Sequence, residues 1–232
     1  EEIIPQGTLT PITKLVLDSA IYFKGEWLST FESERTKDEP FWVTPEHSKD
    51  VPMMRQDGYF EYAEKRDLQV LILPYKGNDL SMVIVLPRKK DGIRGLENRI
   101  TVKHINQWID ASQTQNTEIY LPKFTIESAF SLKEYLTSMG MRDAFLWPGA
   151  DFSGMDGTEL LFLSEALHKA WVKVDERGTE AAAATAVIMA LGAAPNESAK
   201  VFRADHPFLF FIKENTSGSI LFMGKVSDPS AN

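Results

Sequence analysis

Leu167-His168-Lys169-Ala170-Trp171-Val172-Lys173-Val174-Asp175-Glu176-Arg177-Gly178-Thr179-Glu180-Ala181-Ala182-Ala183-Ala184-Thr185 is the stretch on which the fold turns. Its first half alternates as a strand does. Ala166, His168, Ala170, Val172 and Val174 fall on one face, with Lys169 and Lys173 on the other. His168 is therefore expected on a small, apolar, buried face, as a core histidine with a hydrogen-bond partner. An unpaired buried polar group would cost roughly 1–3 kcal/mol. Beyond Asp175, alanine propensity alone suggests a short helix at Ala181–Ala184. The run that continues through Ala190, Leu191 and Gly192 has no polar stripe, however, and gives way to Ala193-Ala194-Pro195-Asn196-Glu197-Ser198. Such an open, small-residue stretch suits an exposed, protease-accessible loop. Taken as a strand, the segment would offer Thr179, Ala181, Ala183, Thr185, Val187 and Met189 on one uncharged face. That face could slide into an existing sheet, although the residues by themselves favour helix or loop.

Outward from this stretch, the chain has a β-rich α+β pattern. Leu15–Phe23 is expected to form a mostly buried strand ending at Lys24-Gly25. Val70–Leu73 and Met82–Leu86 are strand-like runs joined by a hairpin at Gly77-Asn78-Asp79. Ile119–Leu121 and Phe124–Ile126 are strands interrupted by Pro122, and Phe208–Ile212 and Ile220–Met223 flank a second hairpin at Asn215–Gly218. Two helices are expected. In one, Val102, Ile105, Trp108 and Ile109 follow Thr101 as N-cap. In the other, Ser131 and Glu134 have capping-box spacing, Leu132, Leu136 and Met139 form the stripe, and Gly140 ends the helix. Strands and helices do not alternate, which speaks against a doubly wound sheet.

Composition excludes several functions. The 232 residues suffice for one large domain or two small ones, with 43% apolar and 25% charged residues and a net charge of −8. An acidic chain is a poor general nucleic-acid binder. No apolar run reaches the roughly 18 residues of a membrane span. The first residues show no signal-peptide pattern and no initiator Met, so the end is expected to be mature or truncated. Without cysteine there is no disulfide, thiolate metal site or cysteine nucleophile. No nucleophile elbow, phosphate loop or zinc motif is present, and His47, His104, His168 and His206 lack ligand spacing. Asp151–Gly157 lacks the closing Glu of a calcium loop and reads as a turn. No cofactor or metal is expected. Asn196-Glu197-Ser198 and Asn215-Thr216-Ser217 are glycosylation sequons.

Leu167-His168-Lys169-Ala170 through Glu176–Thr185 resembles the fifth strand of sheet A and the reactive-loop hinge of the serpins. Asp205–Ile212 and Leu221–Val226 resemble the family's C-terminal strands, and Lys14–Leu17 with Ala20–Trp27 resembles strand three of sheet A and the region called the breach. Leu121–Phe124 and Asp151–Met155 match further signatures of the family. The resemblance covers essentially the whole chain in order. It is closest to the leukocyte elastase inhibitor and ovalbumin-like branch or its prokaryotic relatives. It implies that residues 1–232 are the C-terminal part of a single serpin domain, with sheets A, B and C, and that the N-terminal helical part lies outside this chain. The reactive-centre loop would run over about residues 176–204.

A serpin of this kind is implied to be an inhibitor, not an enzyme. A serine protease attacks the loop through its own catalytic machinery, and the cut loop inserts into sheet A while still acylated to the protease. Inward-facing hinge positions must then be small or apolar. Thr179, Ala181, Ala183 and Thr185 satisfy this, with Glu180 and Ala182 facing out and Gly178 and Ala184 completing the hinge. In the family's commonest register Gly192–Ala193 is the scissile bond, with Leu191, Ala190 or Met189 as alternative specificity residues for elastase-, chymotrypsin- or subtilisin-like targets. No Arg or Lys lies between Arg177 and Lys200, so trypsin-like targets are not expected. Trp27 corresponds to the breach tryptophan, Glu176 and Lys123 to an ion pair above the fifth and sixth strands, and His168 to the shutter histidine. The family's asparagine opposite that histidine is replaced by Ser19. The implied partners are the target protease and the N-terminal part of the same protein, in a monomer when intact. The expected location is extracellular, with the cytoplasm as the alternative. The other functional classes that stay open are a non-inhibitory carrier, storage protein or chaperone, and an inactive proteolytic fragment.

Overall fold

Apolar runs bounded by turn residues become strands throughout the structure, a computed structural model that describes residues 4–179 and 199–231. In chain order the strands are β1 (Leu15–Tyr22), β2 (Gly25–Glu26), β3 (Lys37–Thr44), β4 (His47–Glu64), β5 (Leu68–Pro74) and β6 (Leu80–Pro87). Helices α1 (Ile93–Glu97) and α2 (Val102–Asp110) precede β7 (Gln113–Pro122) and β8 (Phe124–Ser131). Helices α3 (Lys133–Ser138) and α4 (Ser153–Asp156) lead to β9 (Leu163–Asp175), β10 (Gly178–Thr179), β11 (Lys200–Arg203), β12 (Phe208–Glu214) and β13 (Ile220–Val226). The chain divides into two compact units, Glu1–Phe23 with Ile126–Val172, and Lys24–Thr125 with Lys173–Asn232.

In the second unit an eight-stranded sheet has the order β11-β7-β4-β5-β6-β12-β13, with β3 pairing β4. Both expected hairpins form. The first turns at Gly77 and Asn78 and the second at Gly218, all with positive φ, which favours Gly or Asn. The apolar runs are continuous because both sheet faces are covered. Val70, Ile72, Val83, Val85, Leu209 and Phe211 pack under Leu96, Ile105 and Trp108 of α1 and α2. Phe208 and Phe210 point the other way and meet the Phe124 ring at 5.9 and 5.5 Å. Helix α2 starts as expected, with the Thr101 hydroxyl accepting from His104 N at 3.2 Å. Pro122 ends β7 and Phe124 begins β8.

In the first unit β1 runs parallel to β9, from Leu15 opposite Leu163 to Tyr22 opposite Trp171, and β8 pairs β9 as well. The core here is Phe145, Leu163 and Ala166, packed by Leu132 and Leu136 of the expected stripe. Three expectations need correction. Strand β1 forms, but Leu17, Ile21 and Tyr22 are exposed rather than buried, because among the described residues the core cluster of this unit takes in only Leu15 of the strand and leaves its later side chains uncovered. The capping box does not form. Ser131 accepts from Lys133 N at 3.2 Å and donates to Glu165 instead, so the helix starts without a side-chain cap. Met139 is 83% exposed and leaves the stripe, since the helix closes one residue before it and Gly140, at φ +108°, turns the chain away. Asp151 and Asp156 bond locally to Ser153 and Thr158 around the one-turn helix α4. Among the described residues no helix is long and apolar enough to cross a membrane.

Candidate functional site

The site is built where β9 ends. The Asp175 carboxylate accepts from Arg177 N at 2.9 Å and reverses the chain. Glu176 O then accepts from Phe31 N at 2.8 Å, and Arg177 O from Trp27 N at 2.9 Å. The returning residues form β10, antiparallel to both neighbours. Gly178 stands opposite Asp175 on β9 and Glu26 on β2, and Thr179 opposite Val174 and Gly25. Strand β10 is thus wedged between β9 and β2. The wedge is so tight that a Cβ on Gly178 would lie 2.1 Å from Gly25 O and 2.7 Å from Glu26 Cα, at a φ of +149°. Only glycine fits there.

Thr179 is fully buried, and its hydroxyl shares a 2.9 Å hydrogen bond with the Tyr75 hydroxyl. Burial pushes the Tyr75 phenol well above its ordinary value, and the bond to Thr179 only partly offsets this, so the group stays neutral. Trp27 completes the wall. It is 3% exposed, stacks on Tyr75 with centroids 4.6 Å apart, and donates from Nε1 to Asp175 O at 3.0 Å. One aromatic therefore holds the turn from which β10 departs, while its stacked neighbour holds the residue that β10 inserts.

Glu176 is 8% exposed and receives Lys123 Nζ at 2.9 Å and the Thr36 hydroxyl at 2.9 Å. Burial pushes its carboxyl up. The Lys123 ammonium, its own backbone N–H and the Thr36 hydroxyl outweigh that and leave it below the usual carboxylate range. In the other unit, Ser19 stands directly opposite His168 in the parallel ladder. His168 is half-buried rather than enclosed, and its ring meets Phe130 edge-on at 5.4 Å. The alternating pattern predicts an enclosed core position, whereas this stretch of β9 borders the exposed strand β1 and burial stays partial.

Trp27, Lys123, Glu176, Gly178 and Thr179 thus come together, and Ser19 and His168 face each other elsewhere. The hinge residues Glu180, Ala181, Ala182, Ala183, Ala184 and Thr185 lie outside the described residues, as do Met189, Ala190, Leu191, Gly192 and Ala193. Two participants, Tyr75 and Thr36, were not apparent from the sequence, since each reaches its partner across more than a hundred residues of chain. Among the described residues no group of three or more His, Asp or Glu could hold a metal ion.

A family model described as serpin (serine protease inhibitor) matches residues 1–229. Human Serpin B3 is 45% identical over 233 residues, covering 99% of this chain and 59% of that protein. The leukocyte elastase inhibitor of Xenopus tropicalis is 44% identical over 234 residues, covering 98% of this chain and 61% of that protein. The crystal structure of uncleaved ovalbumin superposes with a TM-score of 0.84 at 31% identity, over 98% of this chain and 57% of that one. The chain therefore spans less than two thirds of the length of the relatives it matches, and over that span it belongs to the serpin family.

Proposed function

We propose that the full-length protein is an inhibitory serpin, a suicide substrate of elastase-, chymotrypsin- or subtilisin-like serine proteases. The observation that supports this most is the seat of Thr179. The first two residues of the hinge already form a strand between β9 and β2, with their inward side chain buried and hydrogen-bonded. The residues that follow keep the inward positions small at Ala181, Ala183 and Thr185. Further along, β1 and β9 pair directly and in parallel. A strand inserted there would replace one parallel ladder by two antiparallel ones, which are better hydrogen-bonded per residue.

Cleavage at Gly192–Ala193, or after Leu191, Ala190 or Met189, would release the loop on its N-terminal side. The 14 residues from Thr179 to Gly192 span roughly 46 Å when extended. An acyl-enzyme carried over that distance is torn from its working geometry, and misplacement of about 1 Å already suffices to cripple deacylation. The inhibitor supplies no catalytic group of its own. Proteases outside the cell are the first expected targets, with cytoplasmic ones the alternative.

The test is incubation of the full-length protein with neutrophil elastase and with subtilisin, followed by denaturing gels and mass spectrometry. A stable covalent complex, with one cut between Met189 and Ala193, is expected. Clean cleavage without a complex would leave a non-inhibitory serpin.

A further inference from the structure

Whether a cut loop traps the protease depends on a race between insertion and deacylation, so whatever seats the first inserted residue sets the outcome. We infer that Tyr75 is the positioning residue of that seat: its hydroxyl holds Thr179 docked before cleavage and lets insertion start from an occupied position. This rests on the inhibitory mechanism proposed above.

Three observations carry it. Tyr75 and Thr179 are both buried, and their hydroxyls lie 2.9 Å apart. Tyr75 is itself fixed by the 4.6 Å stack on Trp27 and by its backbone bridge to that residue. Trp27 in turn binds the carbonyls of Asp175, which enters the turn, and of Arg177 within it. The hydroxyl is thus registered to the backbone from which β10 departs. Thr179 has no other hydrogen-bond partner for its hydroxyl among the described residues. Without the tyrosine hydroxyl, that group is left unpaired among the described residues and is satisfied by leaving the sheet for water. Insertion would then have to begin by burying it unpaired, while deacylation, which belongs to the protease, would run at its old rate.

The experiment measures the partition ratio, the amount of cleaved inhibitor formed per covalent complex, for the full-length protein with neutrophil elastase. Tyr75→Phe is expected to raise the ratio by up to about tenfold, the rate equivalent of one lost buried hydrogen bond. Thr179→Val alone is expected to raise it less, because the phenol then loses its threonine partner but no polar group is forced into the sheet. The double variant Tyr75→Phe with Thr179→Val should fall back toward the wild-type ratio, since both partners are then apolar. Loss of thermal stability with an unchanged ratio in Tyr75→Phe would overturn the inference, and so would a raised ratio that Thr179→Val does not rescue. If Tyr75→Phe does not fold, Thr179→Val decides alone: an unmoved ratio there overturns it. Should the wild type itself form no complex, the inhibitory mechanism fails instead, which keeps the two outcomes apart.

Discussion

The Lys123 ammonium sits 2.9 Å from one Glu176 carboxylate oxygen and 3.1 Å from the other, directly beside the turn that launches β10. Glu176 is buried while Lys123 keeps contact with solvent, so the pair is stronger than a surface bridge and weaker than a fully enclosed one. Glu176→Gln is expected to cost about 1–2 kcal/mol at neutral pH. The folded carboxyl lies below its ordinary value, so its stabilisation is complete above the usual carboxylate range and is lost as pH falls through the folded value. Urea melts of wild type and variant at pH 7 and near pH 3 should show the gap closing in acid. A gap of equal size at both would show that the charge is not what stabilises the turn.

Gly178 is the tightest point of the site. Gly178→Ala must push either Gly25 or the hinge aside, given 2.1 Å to the Gly25 carbonyl. A loss of about 2 kcal/mol or more is expected, with strand β10 displaced. Amide exchange at residues 178 and 179 should accelerate well beyond that of β9, and unchanged protection would contradict the wedge.

How much of this was legible beforehand differs by element. The apolar runs of β5, β6 and β12 could be read because both faces of these strands are covered, and Gly77 and Gly218 mark turns that need positive φ. Strand β1 forms as its sequence predicts but is not buried, since nothing in Leu15–Tyr22 says that its side chains will be left uncovered. The Glu176–Lys123 contact followed from a family resemblance. The Tyr75–Thr179 contact did not, because a tyrosine after Pro74 carries no local signal of a partner 104 residues away. Ser131 shows the same limit in reverse: its spacing to Glu134 is ideal for a cap, and Glu165 from another strand captures it.

Asn215 heads a sequon, yet its side-chain amide donates to Asn78 O at 2.7 Å and to Ser81 Oγ at 3.0 Å. Glycosylation would take one of the two amide hydrogens, break at least one of these bonds and wedge a sugar between the β5–β6 and β12–β13 turns. Peptide mass spectrometry of protein produced through a secretory pathway is expected to find Asn215 unmodified. A substantially occupied site would mean that these turns open during synthesis.

Ala183 lies outside the described residues, but the mechanism makes it an inward-facing hinge position. Ala183→Arg would bury an unpaired charge, at several kcal/mol, with the loop itself left intact. The protease should cut this variant as readily as wild type and go free, turning an inhibitor into a substrate. Undiminished complex formation on denaturing gels would show that this position does not insert.

Insertion itself is tested most directly by melting the full-length protein before and after a single cut in the loop between Met189 and Ala193. An added central strand with hydrogen bonds on both sides should raise Tm by about 10 °C or more. An unchanged or lower Tm in the cleaved protein would mean that the loop stays outside the sheet, and that the seat of Thr179 is only the end of a turn.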